Sequence, residues 1–198
     1  MYKKQLIFQK IVCFAMLAMS AIVFLYSLGI MTDLYDTLYY TMPNPNNIYS
    51  SKVEGSAIYY EMQTFNSMFT NLSIGLILVT LVLFVTCTHS RRKYYIGNYI
   101  AVALSTIYNI VISVWTIYHI NFFKARYMQI DFAALKEFWE NRGQPQVYTN
   151  STFWFDVSAV IFGLLLLMSV LLVVNTILKV ILMKEEKRLV GSRKDVRA

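Results

Sequence analysis

The sequence predicts an all-α integral membrane protein of four transmembrane helices, and three observations carry that reading. The chain is 57% hydrophobic and 16% aromatic over 198 residues, too apolar for an ordinary soluble domain. Its apolar residues fall into four blocks, 6–30, 69–88, 96–122 and 153–183, each able to cross a hydrocarbon core that needs about 20 residues. All three prolines, Pro43, Pro45 and Pro145, lie between the blocks. No freed backbone group therefore has to be accommodated in the bilayer. The chain reads as a single membrane domain with outer loops at 31–68 and 123–152, which form a small cap, and a tail at 184–198.

Charge sets the expected orientation. The formal net charge is +7, with 18 Lys and Arg against 11 Asp and Glu. The basic residues gather before residue 11, at Arg91, Arg92 and Lys93, and from Lys179 onward; only Lys52, Lys124, Arg126, Lys136 and Arg142 lie elsewhere. Acidic residues show the opposite bias. By the positive-inside rule both termini are expected in the cytoplasm, in a plasma or cytoplasmic membrane. Topology thus accounts for the basic balance, and nucleic acid is not an expected partner.

The first block follows Lys3 and Lys4, as a signal peptide would, but it is too long for an h-region and lacks a small-residue cleavage site. It reads as a retained helix. Gln9 and Lys10 sit near its inner end, where a lysine can snorkel to the headgroups. Ala15, Ala18 and Ala21 give it a narrow flank. Cys13 and Cys87 are the only cysteines, and both are expected as buried thiols.

The loop that follows contains Tyr35, Tyr39, Tyr40, Tyr49, Tyr59 and Tyr60, four acids and Lys52. Pro43, Asn44, Pro45, Asn46 and Asn47 mark a turn. Residues 33–40 suit a short helix, while 56–65 suit either a helix or an extended segment. Tyrosines present large contact area at low entropic cost, so these six form a candidate recognition surface. The plainer alternative places the rings on the membrane interface or against the second outer loop.

The second block opens with Asn71, Ser73 and Gly75. Asn71 and Gly75 repeat a spacing that dominates the third block, where Gly97, Ala101, Ser105, Asn109 and Ser113 recur every fourth residue. Small and polar residues are where membrane helices approach one another. A four-residue step leaves a drift of roughly 40°, so the stripe wraps about 160° over its length and can meet two neighbours in turn. The alternative is that small residues are simply common in such helices. Asn109, its most central polar member, is expected to act as glue between helices rather than as a ligand.

Beyond the third block, Asp131 is a candidate N-cap for an amphipathic helix over 132–141, with Phe132, Leu135, Phe138 and Trp139 on one face. Ser151 or Thr152 caps the fourth block. Asp156 lies in its first turn, where the helix dipole favours an anion, and Lys124 or Arg126 is the expected ion-pair partner. Ala159 and Gly163 offer a further close-contact site. Asn175 and Lys179 lie toward the inner end, and 184–189 should prolong the helix.

Catalytic constellations are not found in the sequence. His89 and His119 are expected on opposite sides of the membrane and cannot share a metal. No Cys-x-x-Cys or glycine-rich phosphate loop occurs, so neither enzyme activity, metal nor cofactor is expected. In helix count and inner termini the chain resembles tetraspanins and claudins. It lacks the Cys-Cys-Gly and loop cysteines of the first and the Trp-Gly-Leu-Trp-Cys-Cys of the second, and no family is assigned. Small multidrug transporters are shorter and carry a first-helix glutamate that this chain lacks.

The expected function is that of a non-catalytic accessory or scaffold subunit, bound to the lipid bilayer and to another integral membrane protein, with a transporter permease as one such partner. The competing expectation is a small oligomeric transporter or channel, lined by Asn71, Ser105, Asn109, Asp156 and Asn175.

Overall fold

Why the apolar blocks become helices, and where each stops, is decided by which residues find an interior. The computed structural model describes residues 2–35, 54–55, 58–89, 96–141 and 150–195. The turn at 43–47, the basic connection at 90–95 and Gly143 lie outside them. The described residues form α1 (Tyr2–Gly29), a π-helical turn (Ile30–Tyr35), α2 (Ile58–His89), α3 (Ile96–Tyr127), α4 (Phe132–Glu140) and α5 (Phe153–Asp195), with no strand among them. Four of these helices are long and apolar enough to cross a membrane: the spans are Lys3–Thr32, Glu61–Cys87, Ile96–Tyr127 and Phe153–Glu186.

Three boundaries differ substantially from the sequence expectation: α5 runs to Asp195, past the expected 189, and α2 and α3 are extended at one end each. α2 begins at Ile58 rather than 69, because Ile58, Met62, Phe65 and Phe69 continue one buried seam through a stretch whose other faces carry Glu61, Gln63 and Thr64. α3 runs to Tyr127 rather than 122, since Ile120, Phe123 and Tyr127 extend its seam in the same way. Gly55 ends the turn before α2 at φ 78°, and a Cβ there would stand 3.1 Å from the Ile130 Cα. Glycine is required at that place both for its dihedral and for its size.

The interior mixes apolar and polar residues, while the outer faces are aliphatic. Buried positions on α5 run Phe155, Ser158, Phe162, Leu165, Ser169, Leu172, alternating steps of three and four as in left-handed helix packing. Between these seams, Leu78, Val82, Ile107, Val111, Val114 and Val160 are exposed. Buried polar groups and exposed aliphatic ones are what a hydrocarbon solvent selects. Most buried hydroxyls satisfy themselves within their own helix: Ser20 donates to Leu17 O at 2.7 Å, Ser73 to Thr70 O at 2.7 Å, and Ser158 to Phe155 O at 2.6 Å.

The residues cluster into two units. The first comprises 1–21, 75–112 and 163–198, the second 22–74 and 113–162. The first is built on Val12, Cys13, Met16, Leu83, Cys87, Ala101, Val102 and Leu172, with Phe8, Phe84 and Met168 packed against them. The second is aromatic: Phe65 stacks on Phe69 at 5.6 Å and on Trp115 at 5.3 Å, and Tyr26 meets Phe69 and Phe162 edge-on. Asp131 caps α4 by accepting from Ala134 N at 2.9 Å, and Leu135 on that helix is fully buried.

Candidate functional site

The first unit contains a polar network between its helices. Gln5 and Gln9 lie one turn apart on α1, as do Asn175 and Lys179 on α5, and all four are buried. Gln5 Nε2 donates to Asn175 Oδ1 at 3.0 Å and to Gln9 Oε1 at 3.2 Å. Gln9 Nε2 donates to Asn98 Oδ1 at 3.3 Å. Lys179 Nζ donates to the same Asn98 oxygen at 3.0 Å and lies 4.9 Å from the centroid of the Tyr99 ring. Asn98 Nδ2 turns the other way, to Cys87 Sγ at 3.4 Å. Asn98 thus joins α1, α2, α3 and α5.

Lys179 is 1% exposed, and no carboxylate pairs with it among the described residues. A cation away from water must be met by oriented dipoles or a π face, and Asn98 and Tyr99 provide one of each. Sequence reasoning noted Gln9, Asn175 and Lys179 separately and passed over Gln5 and Asn98. The available signal was the pairing of polar residues at i, i+4 on two different blocks.

The stripe on α3 divides by depth. Gly97 is half-buried and Ala101 belongs to the apolar cluster of the first unit. Ser105 and Asn109 are fully buried there; Asn109 Nδ2 donates to Ser169 Oγ at 3.1 Å and approaches Met16 Sδ at 3.7 Å. The Ser105 hydroxyl and Asn109 Oδ1 have no partner among the described residues. Gly75 lies against the Tyr108 hydroxyl, a contact a side chain would block. Ser113, in the second unit, is fully buried. Ala159 and Gly163 are exposed, and a Cβ on Gly163 would meet nothing within 4 Å. The close approach expected of that pair is therefore not made among the described residues.

Asn71 is exposed rather than turned inward, and it belongs to a polar face on α2. Gln63, Asn66, Ser67, Thr70 and Asn71, with Met31, line a cleft of about 320 Å3 in the second unit. Asn66 is 4% exposed, yet its amide nitrogen and oxygen both lack partners among the described residues, as does the Thr70 hydroxyl. Such groups are costly in a water-poor setting.

Of the two partners the sequence leaves open for Asp156, the structure takes Lys124. Lys124 bonds Asp156 Oδ1, and Thr152 donates to Asp156 Oδ2 at 2.6 Å. Arg126 instead takes Glu61 and lies 5.5 Å from the Phe122 ring. α2 reaches far enough back to supply Glu61, which the shorter predicted helix would have left in a loop. Of the six tyrosines, Tyr39, Tyr40 and Tyr49 lie outside the described residues; Tyr35, Tyr59 and Tyr60 fall on helical positions described by backbone alone.

Cys13 and Cys87 are paired as a disulfide, a correction to the expected thiols. Both occupy inward seams of the first unit, and a sequence separation of 74 gives no hint that they share a level. In a chain-entropy account closing such a loop contributes about 4.5 kcal/mol. Unfolded in SDS without reductant, the protein should take up no maleimide-polyethylene glycol, and two adducts after reduction. Two adducts before reduction would contradict the pairing.

Comparison of the chain with protein-family models, with curated proteins and with solved structures finds no match.

Proposed function

We propose that the protein is a non-catalytic accessory or scaffold subunit of a membrane complex, with both termini in the cytoplasm. We place it in the plasma or cytoplasmic membrane, its outer loops forming a small cap. The observation that carries this reading is the polar face on α2. Gln63, Ser67 and Asn71 are exposed on it, beside Asn66 and Thr70, within or next to the span Glu61–Cys87. Lipid tails cannot meet amide and hydroxyl groups, whereas a second transmembrane helix bearing similar groups can. The occupant is therefore a helix of another integral membrane protein, and a transporter permease is the partner class proposed. Charge supports the orientation: Lys3, Lys4, Lys10 and the tail face one way, and the acidic loops the other.

Purification from native membranes in mild detergent, followed by mass spectrometry, should recover a stoichiometric membrane partner. Asn66→Leu combined with Ser67→Leu should lose it while the subunit still melts as the parent does. Retention of the partner by that variant would overturn the assignment.

A second reading, a small oligomeric transporter or channel, is favoured by the unpartnered Ser105 hydroxyl and Asn109 Oδ1 inside the first unit. It requires the purified protein to be a homo-oligomer without a foreign partner. Flux in liposomes that falls with Asn109→Leu would then support it.

A further inference from the structure

The polar network of the first unit ends on the disulfide, whose two sulfurs have different surroundings. Cys87 Sγ accepts from Gln9 Nε2 and from Asn98 Nδ2, each at 3.4 Å. The Asn98 oxygen in turn accepts from Lys179 Nζ at 3.0 Å, so a buried cation polarises an amide that donates to the sulfur. Cys13 Sγ accepts no hydrogen bond among the described residues and lies in the apolar cluster with Val12, Met16 and Leu83. Cys87 is the last residue of the span Glu61–Cys87, whereas Cys13 is fully buried inside the span Lys3–Thr32. One heptad along each helix, Thr80 Oγ1 donates to Ser20 Oγ at 2.9 Å. That contact holds α1 and α2 together beside the disulfide without depending on it.

We propose that Cys13 and Cys87 form a reversible redox switch that exchanges with a dithiol, Cys87 being the exchanging sulfur and Cys13 the resolving one. A thiolate of the dithiol attacks Cys87 Sγ. A mixed disulfide forms, the bond to Cys13 breaks, and Cys13 takes up a proton. The second sulfur of the dithiol, having lost its proton, attacks the first, closes a disulfide there and releases Cys87 as a thiolate. Two electrons pass to the cysteines; of the dithiol's two protons, one ends on Cys13 and the other in solvent. In reverse, the Cys87 thiolate attacks an external disulfide and Cys13 displaces it. The surroundings suit these roles. Apolar neighbours favour a neutral thiol at Cys13, while two N–H donors, one of them backed by Lys179, meet the charge on Cys87. The Ser20–Thr80 contact keeps the sulfurs opposed once their bond opens, as closing it again requires. In the orientation proposed above the pair lies toward the cytoplasm, where dithiols keep cysteines reduced. The sulfur chemistry does not rest on that orientation.

The full-length protein in mild detergent is treated with dithiothreitol, freed of it under argon and alkylated briefly with iodoacetamide at neutral pH. Peptide mass spectrometry then reads each cysteine. The native protein should be reduced, oxidised glutathione should close the pair again, and Cys87 should be alkylated about tenfold faster than Cys13. Lys179→Met, which leaves the Gln9 donor to Cys87 in place, should slow Cys87 about tenfold and leave Cys13 unchanged. Loosened packing would instead speed both. A disulfide that yields to dithiothreitol only in SDS, or a reduced pair that oxidised glutathione cannot close, would overturn the switch. Equal rates at the two cysteines, or a parental ratio in Lys179→Met, would overturn the roles assigned to them.

Discussion

Replacing Asn98 by leucine should destabilise the protein by about 3 kcal/mol or more, the largest effect expected of any interior polar residue. Two accounts of Asn98 give different magnitudes. If it is one hydrogen-bonding residue among several, the loss should be near the average of about 0.6 kcal/mol for side-chain bonds between membrane helices. Its oxygen, however, receives Lys179 Nζ at 3.0 Å, and without it the ammonium keeps only the Tyr99 ring among its present contacts. Removing the partner of a buried charge costs about 3–5 kcal/mol, well above the loss of a neutral bond. In the separated helices Lys179 can extend its stem toward the headgroups, so the cost falls on the folded state alone.

The companion variant makes the argument decisive. Lys179→Met removes the charge at similar length and leaves Asn98 Oδ1 still accepting from Gln9. It should be nearly neutral, as replacement of a buried charge by an apolar group often is. Asn98→Leu in the Lys179→Met background should then cost about 1 kcal/mol, the price of the remaining neutral bonds. SDS titration followed by tryptophan fluorescence measures all four proteins. Equal cost of Asn98→Leu in both backgrounds would show that the ammonium does not depend on Asn98.

The four spans were legible because hydrocarbon imposes a length and a composition that a single sequence displays directly. Orientation of each seam was legible in part. The four-residue stripe located Ala101, Ser105, Asn109 and Ser113, all of them buried. The ends of α2 and α3 were less legible. From Ile58 to Asn66 only one face is apolar, so average hydropathy drops while the helix continues on the packing of Ile58, Met62 and Phe65. The polar network was hidden for another reason. Gln5 and Asn175 are 170 residues apart, and Gln9 and Asn98 are separated by 89. Sequence spacing fixes who shares a face on one helix, but not which residues on two helices share a level. Small residues are ambiguous in the same way: Gly75 meets Tyr108, whereas Gly163 faces open space.

Gly29 shows how that ambiguity is resolved, and Gly29→Ala should destabilise by about 1–3 kcal/mol. Helix propensity predicts the opposite sign, since alanine is favoured over glycine by about 1 kcal/mol inside a helix. The deciding fact is space. A Cβ on Gly29 would stand 2.5 Å from both Cη2 and Cζ3 of Trp154. The indole is hemmed in by Tyr26 at 6.2 Å and Phe153 at 5.6 Å, and the Tyr26 hydroxyl donates to the Trp154 carbonyl at 2.6 Å. Moving the ring or the end of α1 therefore disturbs the aromatic core of the second unit. Trp154→Phe withdraws the outer part of the ring, and in that background Gly29→Ala should become neutral or stabilising as propensity reasserts itself. The same SDS titration reads the change of sign. A stabilising Gly29→Ala in the parent would mean that the helix end yields more cheaply than close packing allows.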